Sequence, residues 1–142
     1  MSALSTSRTW VRARAATIAG LLIGAAGIAI LWAAGVPFPT AVPPGLVILV
    51  AGALLVGFVR RRWTTAVGAF LGLFVVVGFL VSPTGLSNLT GKAGALVAFG
   101  QAVQQVGVLT ALIAGVLATR AAYRDPAFAS GTQIRAGGGR RA

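Results

Sequence analysis

The sequence predicts an all-α integral membrane bundle of four transmembrane helices, running up-down-up-down, with both termini cytoplasmic. Three observations carry that expectation. The 142 residues are 57% hydrophobic and only 9% charged, against roughly 25% charged in a soluble domain, so the chain holds more apolar surface than a domain of this size can hide from water. The apolar residues fall into four runs separated by basic or Pro/Gly-rich breaks. The basic residues cluster at alternate breaks, which gives the runs a direction.

Residues 1–14 form a basic cytoplasmic segment containing Arg8, Trp10, Arg12 and Arg14. The first run, 15–35, is about 21 residues, or about 31 Å as a helix, enough to cross the hydrocarbon core. A basic head before an apolar stretch also describes a secretory signal, but this run is longer than such cores, and Trp32 stands where a cleavage site needs small residues. An uncleaved helix is expected.

Four prolines between Val36 and Pro44 end that run without a single charge, since proline lacks an amide donor and resists helix continuation. A second span, 44–59, follows. At about 24 Å it is short, and the arginine stems after it can snorkel to the headgroups.

Arg60, Arg61 and Arg62 come next. Placing three arginines at a bilayer centre would cost roughly 8–10 kcal/mol, so the triplet marks a membrane surface and the runs on either side fold back from it. The third span is 63–81, closed by Ser82-Pro83-Thr84-Gly85, and a polar linker reaches Lys92. The fourth, 93–118, ends at Thr119-Arg120. Residues 15–119 thus make the transmembrane domain. The tail, 120–142, is basic, glycine-rich and poor in large apolar residues, and is expected to be mostly disordered.

Three basic residues before the first span, three in the central turn and five in the tail place eleven of the twelve on one side. By the positive-inside rule that side is the cytoplasm, and the membrane is the plasma or inner membrane. Arg12, Arg14, Arg60, Arg61, Arg62, Arg120 and Arg124 then act as topology anchors and contact anionic lipid headgroups. A net charge of +11 would otherwise suggest nucleic acid. Here the charge is broken up by apolar runs and lacks the interleaved aromatic surface that such binding uses, so no nucleic-acid partner is expected.

The chemistry within the runs is sparse. Histidine and cysteine are absent and Asp125 is the sole acid. There is therefore no paired carboxylate, no base to activate a hydroxyl and no metal-ligand set, and neither an enzyme nor a cofactor is expected. Gln101, Gln104 and Gln105 share one helical face by their i, i+3, i+4 spacing. They are the one polar cluster inside a run, offering either interhelical hydrogen bonds or the lining of a path. Their depth, in the outer leaflet, favours the structural role. The face lies about 100° from the small-residue side of its helix, so the glutamines need not lie in the tightest helix contact. Gly20, Gly24 and Gly27 align on the first run, Gly68 and Gly72 on the third, and Gly107 and Ala111 on the fourth. Small residues let helix backbones approach where lipid supplies no hydrophobic drive. They serve packing inside the bundle or a face for a partner.

The run Val67-Gly68-Ala69-Phe70-Leu71-Gly72-Leu73-Phe74, with Ser82-Pro83-Thr84-Gly85 and Asn88-Leu89-Thr90-Gly91, resembles uncharacterised small four-span membrane proteins of high-GC bacteria. The resemblance implies the membrane fold and carries no assigned activity, so no functional residue transfers. The leading expectation is a non-enzymatic accessory or scaffold subunit that packs with other membrane proteins or with itself. The alternatives are a small transporter or channel lined by the Gln101/Gln104/Gln105 face, and a hole-forming lytic protein.

Overall fold

The computed structural model describes residues 3–124, and every regular element among them is helical. The expected disordered tail and Asp125 lie almost wholly outside that range. Five helices follow one another: α1 (Ala3–Ala33), α2 (Pro44–Phe58), α3 (Thr64–Val81), α4 (Gly85–Leu89) and α5 (Ala95–Arg124). Three segments are long and apolar enough to cross a membrane: Arg8–Ala33, Thr64–Val81 and Ala95–Arg124. Helix α2, at 15 residues, is about 22 Å long and shorter than a bilayer core.

The architecture is built on α1 against α5. Residues Trp10, Ala13, Thr17, Gly20, Gly24, Gly27 and Leu31 recur at alternating steps of three and four, the 3.5-residue period that keeps a seam facing its partner. All are buried or half-buried. Helix α5 answers with Val97, Gly100, Gln104, Gly107, Ala111, Ala114 and Ala118 at the same steps. Trp10 packs on Ala118 and Ala122, Gly20 faces Ala111, Gly24 faces Val108, and Gly27 faces Gln104. The partners descend along α5 as α1 ascends, so the two helices are antiparallel over their whole length.

This seam explains why α1 reaches back past the start of the apolar run at Ala15. Trp10, Ala13 and their α5 partners bury one another beyond the apolar stretch, and the basic segment is drawn into the helix as its outward side. For the same reason α5 continues past Ala118 to Arg124.

Helices α2 and α3 close the other side. Leu49 of α2 reaches Gly24, Gly45 meets Ile28, and Gly52 meets Leu21 of α1 and Leu71 of α3. In α3, Gly68 packs against Thr17 and Val56, Gly72 against Val108 and Leu112, and Ala69 against Gly115. Leu21, Leu49, Val56 and Val108 are fully buried at the centre, with Ala25, Ile28, Ala53 and Ala111 around them.

The breaks have local causes. Pro43 precedes α2, whose first residue is Pro44, a position whose missing amide proton is no loss. Trp63 caps α3, and the Thr64 hydroxyl donates to the Arg61 carbonyl at 2.7 Å, fixing the turn after the arginines. The polar linker before α5, read as a turn, contains the single-turn α4. Here the Ser87 hydroxyl donates to the Thr84 carbonyl at 2.9 Å and the Thr90 hydroxyl to the Leu86 carbonyl at 3.0 Å. Gly85 is required because a Cβ would lie 2.6 Å from the Phe79 carbonyl oxygen.

Candidate functional site

The glutamines lie where α5 is wrapped by its neighbours. Gln101 is buried and its Nε2 donates to Gln104 Oε1 at 3.1 Å. The backbone of Gln104 is in direct contact with Gly27, so this residue lies in a close helix approach that the glutamine face did not require. The reason is visible in the α5 repeat: Gln104 fills the seam step between Gly100 and Gly107, and Gly27 leaves room for its backbone while the side chain turns aside. Gln105 Nε2 is buried without a hydrogen-bond partner, an arrangement that ordinarily costs about 1–3 kcal/mol. Two glutamines thus satisfy each other and the third does not contribute to that pair.

The small residues named from sequence are all in contact within the chain. Gly20, Gly24, Gly27, Gly107 and Ala111 line α1/α5, Gly68 receives Thr17 and Val56, and Gly72 receives the Val108 carbonyl. Gly107 is the most confined: a Cβ there would fall on the Gly24 amide nitrogen and 2.7 Å from the Gly20 carbonyl oxygen.

The arginines gather at the opposite end from the glutamines. Arg14 Nη2 donates to the Gly57 carbonyl at 2.7 Å, tying α1 to the last turn of α2, and its guanidinium lies 5.4 Å from the centre of the Trp10 ring. Arg60, Arg61 and Arg62 occupy the exposed turn between α2 and α3, with Arg62 over the Tyr123 ring at 4.7 Å. Arg12, Arg120 and Arg124 are exposed on the helices around them. Cation–π contacts of this kind contribute about 0.5–1 kcal/mol at exposed positions and hold long side chains in place.

Trp10 and Thr65 belong to this end together with Tyr123 and Thr119, of which the latter two were not singled out from sequence. The Thr65 and Thr119 hydroxyls are 3.0 Å apart, and Thr119 also donates to the Gly115 carbonyl at 2.7 Å. Thr65 in turn donates to the Arg62 carbonyl at 3.3 Å, so each hydroxyl has a backbone acceptor of its own and either can supply the proton between them. Trp10 and Thr17 are legible in retrospect as steps of the α1 repeat; the threonine pair, distant in sequence, has no such signal.

Two open clefts of about 260 Å³ each flank the bundle. One, at the glutamine end, is lined by Gly35, Val36, Pro37, Thr84, Asn88, Ala93 and neighbouring alanine and valine side chains. The other, at the arginine end, lies between α3 and α5 and is lined by Ala66, Ala69, Val116, Thr119 and Arg120. Among the described residues no group of three or more histidines, cysteines or acids could hold a metal ion. No protein family, curated protein or solved structure matches the chain.

Proposed function

We infer that this chain is a multi-pass protein of the cell membrane that serves as a non-enzymatic accessory or scaffold subunit. In this reading α1, α3 and α5 and the shorter α2 all span, up-down-up-down, with both termini and the arginine turn on the cytoplasmic side. The carrying observation is the division of its surfaces. Small residues are spent on contacts inside the chain, while Phe58, Phe70, Phe74, Leu80 and Ile113 face outward, as lipid-facing or protein-facing side chains of a membrane bundle do. The short α2 fits a locally thinned bilayer, with Arg14 and the Arg60–Arg62 turn at its cytoplasmic end.

Contact with a second membrane protein therefore falls to the outward aromatic and aliphatic side chains, since the glycine faces are occupied. Extraction from native membranes in mild detergent should recover a stoichiometric partner or a defined homo-oligomer. A strictly monomeric chain without a partner refutes the scaffold role.

The transport reading draws on the unpartnered Gln105 amide. Against it, Leu21, Leu49, Val56 and Val108 fill the bundle centre, so a single chain offers the glutamines no polar route to the arginine end. Flux through proteoliposomes that disappears when all three glutamines become leucine would revive it.

A further inference from the structure

The cleft between α3 and α5 combines three features. First, the helices touch behind it: Gly115 receives Ala69, and the Thr65–Thr119 hydroxyl pair joins them at the basic end. Second, its outward wall is made of small or short apolar side chains, Ala66, Ala69 and Val116, and Ala66 and Val116 are exposed. Third, guanidinium groups stand at one end only. Arg120 lines the cleft four residues after Val116 on α5, and Arg62 stands in the exposed turn just before α3, outside the lining itself. Tyr123, three residues beyond Arg120, holds the Arg62 guanidinium at 4.7 Å.

Among the described residues no acidic side chain stands beside these cations. We propose that the α3/α5 cleft binds an anionic phospholipid, with its phosphate held between Arg62 and Arg120 and an acyl chain lying over Ala66, Ala69 and Val116. The order of chemistry along the cleft is that of a lipid, charge at the membrane surface and hydrocarbon inward. A soluble phosphate would use the arginines and leave the alanine trough without a role. Basic pockets between spans select acidic headgroups by this kind of complementarity. The proposal rests on the membrane reading above and adds to it a particular site.

The test uses the full chain in phosphatidylcholine vesicles containing one-fifth phosphatidylglycerol. Flotation and carbonate extraction come first; a chain that is released fails the membrane reading and this proposal together. For the retained protein, spin-labelled phosphatidylglycerol is compared with spin-labelled phosphatidylcholine in the motionally restricted fraction. The wild type should favour the anionic lipid on the order of tenfold. R62Q and R120Q should each lose severalfold of that preference, and together most of it, whereas R8Q should keep it. A66F, which fills the trough and leaves every charge in place, should also lower it. Equal losses in R8Q and R120Q, or an A66F variant with undiminished preference, would refute a site and leave only diffuse surface charge.

Discussion

Replacing Gly107 with alanine sets two known effects against each other, and the structure decides between them. Alanine favours a helix over glycine by about 0.8–1.0 kcal/mol, so an unconfined glycine should become more stable. At Gly107 the new methyl would meet backbone on α1: the Gly24 amide nitrogen, the Gly20 carbonyl oxygen at 2.7 Å and the Gly24 Cα at 2.8 Å. Carbon atoms pack at about 3.5–4.0 Å, so α1 and α5 must separate by about 1 Å, and no rotamer change can relieve a clash with main chain. Overpacking of a tight contact costs about 1–3 kcal/mol. The obstruction is rigid, which places the cost near the upper end of that range and leaves a net loss of about 1–2 kcal/mol. Gly78 is the matched control, because nothing lies within 4 Å of a Cβ there and only the propensity gain remains. Reversible unfolding in mixed micelles, followed by tryptophan fluorescence, reads both, since Trp10 packs on Ala118 and Ala122 across the same seam. The expected signs are opposite: G107A destabilised, G78A unchanged or stabilised. A G107A protein as stable as G78A would refute the α1/α5 register and the packing derived from it.

Other perturbations have equally definite outcomes. Q105L should leave stability unchanged or raise it by about 1 kcal/mol, because it removes a buried amide without a partner; Q101L should instead lose about 0.6 kcal/mol with its bond to Gln104. In a double-mutant cycle of T65V and T119V, the coupling should be about 0.6 kcal/mol, and a value near zero would remove the cross-link between α3 and α5. The chain has no native cysteine, so single cysteines report topology by thiol labelling of intact cells. R61C should resist a membrane-impermeant reagent while L86C, at an exposed position on α4, reacts; the reverse pattern would invert the proposed orientation.

The helical class and the breaks between helices were legible because they follow from one-dimensional signals: long apolar runs, four clustered prolines, and arginines too costly to bury. The helix limits were less so. An apolar run stops where polar residues begin, whereas Trp10 on Ala118 and Ala122 carries the α1/α5 contact into polar sequence. The glycine stripe Gly20-Gly24-Gly27 was visible, but its continuation through Thr17, Ala13 and Trp10 mixes residue types that share only a spacing. The seam position of Gln104 was hard to read for a related reason. Its polar side chain drew it to the face of Gln101 and Gln105, while its backbone, which any residue supplies, is what meets Gly27. The α3/α5 cleft depends on a pairing of distant segments, and neither Arg62-x-x-x-Ala66 nor Val116-x-x-x-Arg120 announces the other.

That the most intimate pairing joins the first helix to the last has a consequence for how the protein is made. Synthesis proceeds from the N-terminus, so the glycine face of α1 enters the membrane with its partner not yet translated. While α2 and α3 are synthesised it must stay open, although lipid or another protein's helix could occupy it, and it is completed only when the segment from Gly100 to Ala118 arrives. The late, long-range closure resembles fastening a clasp after the rest of the chain is in place. A chain halted before α5 would hold a backbone-lined groove with nothing to fill it, and quality-control proteins that recognise unfinished membrane bundles would meet it in that form.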